Sequence, residues 1–317
     1  MARTSSRISV DAAQLARAAE LIRRGELVAF PTETVYGLGA NALDADAVAR
    51  IFEAKGRPST SPLIVHVDGI ERAGAVVRSW PDRAETLARR FWPGPLTLVL
   101  PKQAAIPALV TAGLDTVGIR VPNHPLALAL LREAGVPIAA PSANRFTQLS
   151  PTTAEHVRES LGDRVSLILD GGPANVGIES TVLSLAGSAP VLLRPGMITR
   201  AQIEALIGPV ALAEDPLSGP HQSPGQHRKH YSPRTPLVFA ENDHLPGGRG
   251  AYLYWHRVLP AVRVYRMPAD PETSAARLYD ILHELDGQSW DWIAFEHPPC
   301  GVGWEAIADR LSRAAAR

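Results

Sequence analysis

FPTETVYGLGANALDADAVARIFEAKGRPSTSPLIVHV, residues 30 to 67, packs two strand candidates, one amphipathic helix and two polar loops into a short span. The strand Glu26 to Phe30 runs into Pro31-Thr32-Glu33-Thr34-Val35-Tyr36-Gly37-Leu38-Gly39. Asp44 is placed to cap a helix whose apolar face is Ala47, Val48, Ile51 and Phe52, with Gly56 as its stop. Lys55-Gly56-Arg57-Pro58-Ser59-Thr60-Ser61 then leads to Leu63–Val67, a strand apolar enough to be buried on both faces. Hydroxyls and cations on loops at strand and helix ends are what an anionic ligand requires.

Outward from this stretch, strands and helices alternate. Helices are expected at Asp11–Arg24, Asp82–Arg90, His124–Glu133, from Thr152, and at Thr199–Ile207. The Thr152-Thr153-Ala154-Glu155 spacing is that of a capping box. Strands are expected at Leu96–Leu100, Val117–Val121, Val136–Ala140, Ser166–Asp170, Thr181–Leu185 and Val191–Leu193. Several connections are too short for helical crossovers. The fold class is therefore α/β of the α+β type: a twisted mixed sheet with flanking helices. Residues 214–235, EDPLSGPHQSPGQHRKHYSPRT, lack apolar periodicity and read as a linker or functional loop. A second α/β pattern follows, with strands at Leu237–Ala240, Ala251–Trp255, Val262–Tyr265 and Trp290–Phe295 and helices at Glu272–Leu285 and Glu305–Ala315. The division is 1–210, a 211–236 linker and 237–317.

The 317 residues carry 32 basic and 32 acidic side chains, so the global basic field of a simple nucleic-acid binder is absent. A 45% hydrophobic fraction suits a globular core. One cysteine, Cys300, excludes an internal disulfide framework and a cysteine-built metal site, and fits a reducing compartment. No apolar run reaches the ~20 residues of a membrane span, and the N-terminus lacks the apolar core of a secretory signal. A cytoplasmic location, with no membrane partner, is expected.

Three constellations could carry chemistry. Lys55, Arg57, Ser59, Thr60 and Ser61 could form an anion pocket, though each cation alone could be a helix-dipole partner or a solvated loop charge. The loop lacks the glycine spacing of a Walker motif. Hydroxyl and small residues recur after strand ends, at Thr32 and Thr34, Ser142 and Asn144, Ser180 and Thr181; each could also be an ordinary turn. Arg120 and Arg194 each end an apolar strand just before a proline, suited to a carboxylate or phosphate or to an interdomain salt bridge. His66, His227 and His230 have no zinc spacing, no Ser-His-Asp order stands out, and Asp170-Gly171-Gly172 reads as a turn.

In this order the motifs resemble the Sua5/YrdC/TsaC family of threonylcarbamoyl-AMP synthases. The carrying pieces are PTETVYGLGANA at 31–42, Lys55 with Arg57, SPLIVHV at 61–67, WPGPLTLVL at 92–100, TAGLDTVGIRVPNHP at 111–125, PIAAPSAN at 137–144, DGG at 170–172, ESTV at 179–182 and LLRPG at 192–196. SPGQHRKHYSP at 223–233 resembles the linker of the longer form, and the tail resembles its second domain. The resemblance implies synthesis of L-threonylcarbamoyladenylate and pyrophosphate from L-threonine, bicarbonate and ATP. The product would pass to a tRNA threonylcarbamoyl transferase complex that modifies adenosine 37 in tRNAs reading ANN codons. Weak tRNA or RNA binding is a further implication. It also implies a concave, positively lined cavity.

Carried over by position, threonine would meet Thr34, His66, Arg120, the Ala140 backbone and Ser180. The nucleotide would meet Arg57, Ser61, Thr116, Ser142, Asn144, Ser150 and Arg194. Lys55, Arg57 and Arg194 would act on the reacting phosphates, and Thr32 and Tyr36 share the same motifs. The sequence departs from the family at Ser61, commonly asparagine, and at Arg228, which stands where the longer form has a tyrosine beside the nucleotide. Arg228 could stack on adenine or pair with phosphate. Mg²⁺ held mainly by phosphate oxygens, rather than by protein side chains alone, would explain the lack of a carboxylate cluster. Residues 214–235 would then act as a lid over a labile anhydride. The alternatives are a double-stranded RNA or tRNA-binding module, a carbamoyl-adenylate enzyme of the related hydrogenase-maturation type, and, less favoured, a structural scaffold.

Overall fold

A computed structural model of the protein describes residues 11–213, 230–241 and 244–316. Ten strands of its first part join one mixed sheet: β1 (Val28–Phe30), β2 (Gly37–Asn41), β3 (Ile64–His66), β4 (Leu96–Pro101), β5 (Thr116–Arg120), β6 (Ile138–Ala139), β7 (Leu167–Ile168), β8 (Thr181–Ser184), β9 (Val191–Arg194) and β10 (Ala211–Leu212). Their order is β10-β9-β8-β4-β5-β3-β6-β2-β1-β7. Parallel neighbours such as β3/β5 and β4/β8 alternate with antiparallel ones such as β4/β5 and β8/β9, as the short connections require.

Six helices cover this sheet: α1 (Ala12–Arg23), α2 (Ala45–Lys55), α3 (Asp82–Phe91), α4 (Pro125–Ala134), α5 (Ala154–Leu161) and α6 (Arg200–Ile207). Apolar residues of α1 and α4 share a core with Val28, Phe30 and Ile138. The other helices pack with Ala29, Leu38, Val65 and Leu98 on the opposite face. Asp44 accepts from the amides of Asp46 and Ala47, and Gly56 closes α2 at φ 62°, as its position in the sequence anticipates. At α5 the expected capping box is not formed. Thr153 is the N-cap and His156 stands three residues on, while Glu155 pairs with Arg158. The reciprocal box occurs instead at Thr199 and Gln202 of α6.

The residues after 230 build a four-stranded parallel sheet, β11-β14-β12-β13, from β11 (Leu237–Phe239), β12 (Gly250–Tyr254), β13 (Arg263–Arg266) and β14 (Trp292–Phe295). Helices α7 (Pro271–Asp286) and α8 (Glu305–Ala315) pack on it. Val35, Leu149 and Ile178 of the first part belong to this second core, so the two parts share buried apolar surface. At Gly177, φ 78°, an added Cβ would stand 2.5 Å from the Ala276 main chain. Only glycine lets α7 approach this closely.

Candidate active site

Where the strands end, a cavity opens to solvent, lined by residues from many parts of the chain. Thr32 and Thr34 reach it from the loop after β1, Arg57 from the end of α2, His66 from β3 and Arg120 from β5. Ala140 and Ser142 come from the loop after β6, Ser180 from just before β8, Arg194 from the end of β9, and His230 and Tyr231 from the approach to the second sheet. All five residues expected at threonine thus line one cavity with Arg57, Ser142 and Arg194.

The loop after β1 folds around one hydroxyl. Thr32 Oγ1 donates to the Val35 carbonyl at 2.6 Å and accepts from the amides of Thr34 and Val35. With its proton committed, it accepts from Thr34 Oγ1 at 2.8 Å, which leaves Thr34 Oγ1 to accept from Arg120 at 3.0 Å. Arg120 also donates to the Gly94 carbonyl at 3.2 Å and sits 2.7 Å from Glu33. Glu33 is buried, and beyond this ion pair its carboxylate oxygens have no hydrogen-bond partner among the described residues. His66 is pushed down to about 3 by burial and by Arg120, so its imidazole is neutral at physiological pH. Its buried Nδ1 has no partner among the described residues. Tyr36, held neutral by burial, donates to the Gly172 carbonyl at 2.7 Å and accepts from the Gly171 amide, tying the DGG turn to this loop.

On the other wall, Arg57 donates to Ser61 Oγ and to the Pro62 carbonyl, and its guanidinium lies 5.7 Å from the Phe146 ring centroid. Burial lowers it to about 10, which leaves it charged at neutral pH. Arg194 donates to the Ser180 carbonyl at 3.1 Å and to its hydroxyl at 3.2 Å.

Several expected site residues stand behind the lining. Lys55 Nζ donates to the Ser142 and Asn144 carbonyls, and burial, then Arg57, holds its pKa well below the usual lysine range. These contacts anchor the Ser142–Asn144 loop, and Lys55 is not among the residues that line the cavity. Asn144 braces the same loop by donating to the Arg145 and Gln148 carbonyls. Ser61 orients Arg57, and Ser150 donates to Glu179 at 2.5 Å. Thr116 opens the strand that Arg120 ends, so about 13 Å of extended chain separates them. Arg228 lies outside the described residues, as do residues 214–229 of the expected lid.

Sequence reasoning passed over Glu33, Glu179, Tyr231 and Arg310. Both glutamates lie inside quoted motifs, and a carboxylate among buried arginines is a readable signal. Tyr231 adopts φ 61°, a region that favours glycine, and its buried hydroxyl has no hydrogen-bond partner among the described residues. That backbone cost is the mark of an imposed position. Arg310 comes from α8, and only tertiary structure brings it near.

Residues 20–196 match the family model described as telomere recombination, and residues 198–316 match the model for the threonylcarbamoyl-AMP synthase C-terminal domain. The threonylcarbamoyl-AMP synthase of Bacillus subtilis is 49% identical over 329 residues, covering 97% of this chain and 94% of that protein. The chain belongs to the threonylcarbamoyl-AMP synthase family. The Pyrococcus abyssi member is 50% identical over 228 residues, 71% of this chain and 67% of its own. The crystal structure of P. abyssi Sua5 complexed with L-threonine superimposes with a TM-score of 0.90 at 38% identity, covering 97% of this chain and 95% of that one. The family relationship thus spans both sheets.

Proposed function

We propose that the cavity condenses L-threonine, bicarbonate and ATP into L-threonylcarbamoyladenylate and pyrophosphate. The observation that carries this reading is the convergence of Arg57, Arg120 and Arg194 on one cavity beside a neutral His66. Threonine's amine takes up bicarbonate carbon with loss of water, giving a carbamate. A carbamate oxygen then attacks the α-phosphorus of ATP, forming the acyl-phosphate bond as pyrophosphate leaves. Two anions must meet, so the protein's work is charge compensation and alignment. Arg120 pairs with the threonine carboxylate. Thr34, Ser180 and the uncharged imidazole of His66 bound the amino acid without placing another cation beside its amine. Arg57 and Arg194 compensate the phosphates.

Mg²⁺ would enter with the nucleotide and offset its charge. Among the described residues Glu179 is the one carboxylate on the lining, and it is paired with Arg310, so the cavity suits an ion carried by phosphate oxygens. We place the reaction in the cytoplasm. Among the described residues no helix is long and apolar enough to cross a membrane, and Cys300 is an exposed thiol. The product is a mixed anhydride and needs a prompt acceptor, which we take to be the tRNA threonylcarbamoyl transferase complex.

Purified protein with ATP and bicarbonate is expected to release pyrophosphate on addition of threonine, well above serine or no amino acid. Equal release in all three would reject the reading. Arg57→Ala is expected to lower that release by about a hundredfold, because a buried charge-assisted phosphate contact is lost.

A further inference from the structure

Glu179 poses a problem for a cavity that holds a triphosphate: it is a carboxylate on the lining, next in sequence to the serine that anchors Arg194. Its counter-ion comes from the C-terminal part of the chain. Arg310 of α8 is 0% exposed, and its Nε donates to Glu179 Oε2 at 2.7 Å. A second guanidinium nitrogen donates to the Glu179 carbonyl at 3.3 Å and the third to Asp309 at 2.7 Å. Tyr279 of α7 donates to Glu179 Oε2 at 3.2 Å, while Ser150 donates to Oε1. The Arg310 guanidinium also lies 5.2 Å from the ring centroid of Tyr231, another lining residue. Two of the three hydrogen bonds to this carboxylate thus cross from the second sheet's helices, which the close approach at Gly177 pins in place.

A buried carboxylate draws the nearest cation to itself. Without Arg310, that cation would be Arg194, on the same cavity. We propose that Arg310 is a positioning residue for the nucleotide half of the site: by neutralising Glu179 from behind the wall, it keeps Arg194 directed at anionic substrate. The C-terminal part thereby completes the site although it contributes no phosphate contact of its own through α8. Burial pushes Glu179 up, but Arg310, and after it Arg194, outweigh this and hold it below the usual range, so it is ionised at neutral pH and requires that counter-charge. The proposal rests on the reading that Arg57 and Arg194 hold ATP.

The test is calorimetric titration of full-length protein with α,β-methylene-ATP and, separately, L-threonine. Arg310→Met is expected to weaken the nucleotide analogue about tenfold while threonine binding stays within about twofold, one charge-assisted contact being misdirected. Adding Glu179→Gln removes the competing charge and is expected to restore nucleotide binding to within about threefold of wild type. A role in fold stability alone predicts no such rescue and equal loss of both ligands, and either result overturns the proposal. Should Arg310→Met not fold, Glu179→Gln alone decides, since Asp309 still balances Arg310. It is expected to bind the analogue within about threefold of wild type, and a tenfold loss overturns the proposal. Wild-type protein that binds threonine but not the analogue would instead remove the nucleotide reading, and this proposal with it.

Discussion

Two buried arginine–glutamate pairs flank the cavity, and they face opposite ways. In Arg120–Glu33, 2.7 Å apart, the cation lines the cavity and the carboxylate stands behind it. In Arg310–Glu179, also 2.7 Å apart, the carboxylate lines the cavity and the cation stands behind it. One pair presents charge to a ligand; the other cancels charge that the ligand would meet. The first joins the loop after β1 to the end of β5, strands that β3, β6 and β2 separate in one sheet, whereas the second joins the first part of the chain to α8. A buried ion pair is therefore no guide to function until its inward-facing member is known.

The largest expected effect breaks the first pair. Arg120→Met removes the cation proposed to pair with the threonine carboxylate and strands Glu33, so threonine-dependent pyrophosphate release should fall by about a hundredfold or more. Stability should drop by about 3–5 kcal/mol, the usual cost of orphaning a buried charge. Pyrophosphate release and chemical denaturation check the two arms; retained threonine stimulation would remove Arg120 from the amino-acid site.

A smaller change sharpens the contrast. Glu33→Gln keeps the shape but unties Arg120, and is expected to raise KM for threonine about tenfold with little change in KM for ATP. The same exchange at Glu179 should leave both KM values nearly unchanged. If the two exchanges behave alike, the opposed orientation of the pairs has no functional meaning.

The smallest effect lies at the seam between the cores, where His156 and His283 stack with ring centroids 3.8 Å apart. Burial, then His283, lowers His156 to about 3, and burial also lowers His283. Unfolded histidine titrates near 6.5. Below that pH the unfolded chain binds more protons than the native one, so this contribution is complete above about pH 6.5 and is lost as pH falls toward 3. The melting temperature should therefore decline from pH 7 to pH 5. His156→Phe, which preserves a ring but cannot protonate, should shallow that decline by about 2–4 °C. An identical slope would show that the seam does not titrate.

Much of this architecture was legible in the chain. Apolar runs bounded by proline located β3, β4, β5 and β9, and caps such as Asp44 and Gly56 located α2. Strand β2 was not legible, because GLGAN reads as a loop under ordinary strand preferences. Its glycines answer a packing demand: a Cβ at Gly39 would stand 2.8 Å from the Phe30 ring and 2.9 Å from Ile138. Lys55 was legible as a cation but not as one spent on backbone carbonyls, since its partners lie 87 and 89 residues away.

The opening stretch shows where each kind of information ends. Residues 30–67 by themselves determined two strands, a capped helix, and loops rich in hydroxyls and cations, because these depend on periodicity and neighbouring residues. The stretch could not determine which polar groups face the ligand. Thr34, Arg57 and His66 line the cavity, whereas Glu33, Lys55 and Ser61 of the same stretch support it from behind. That choice depends on strand order and on side chains from β5, β9 and α8, which meet only when the two cores close. Burial then makes the choice binding: a charge removed from water must find its partner wherever the tertiary fold has put one.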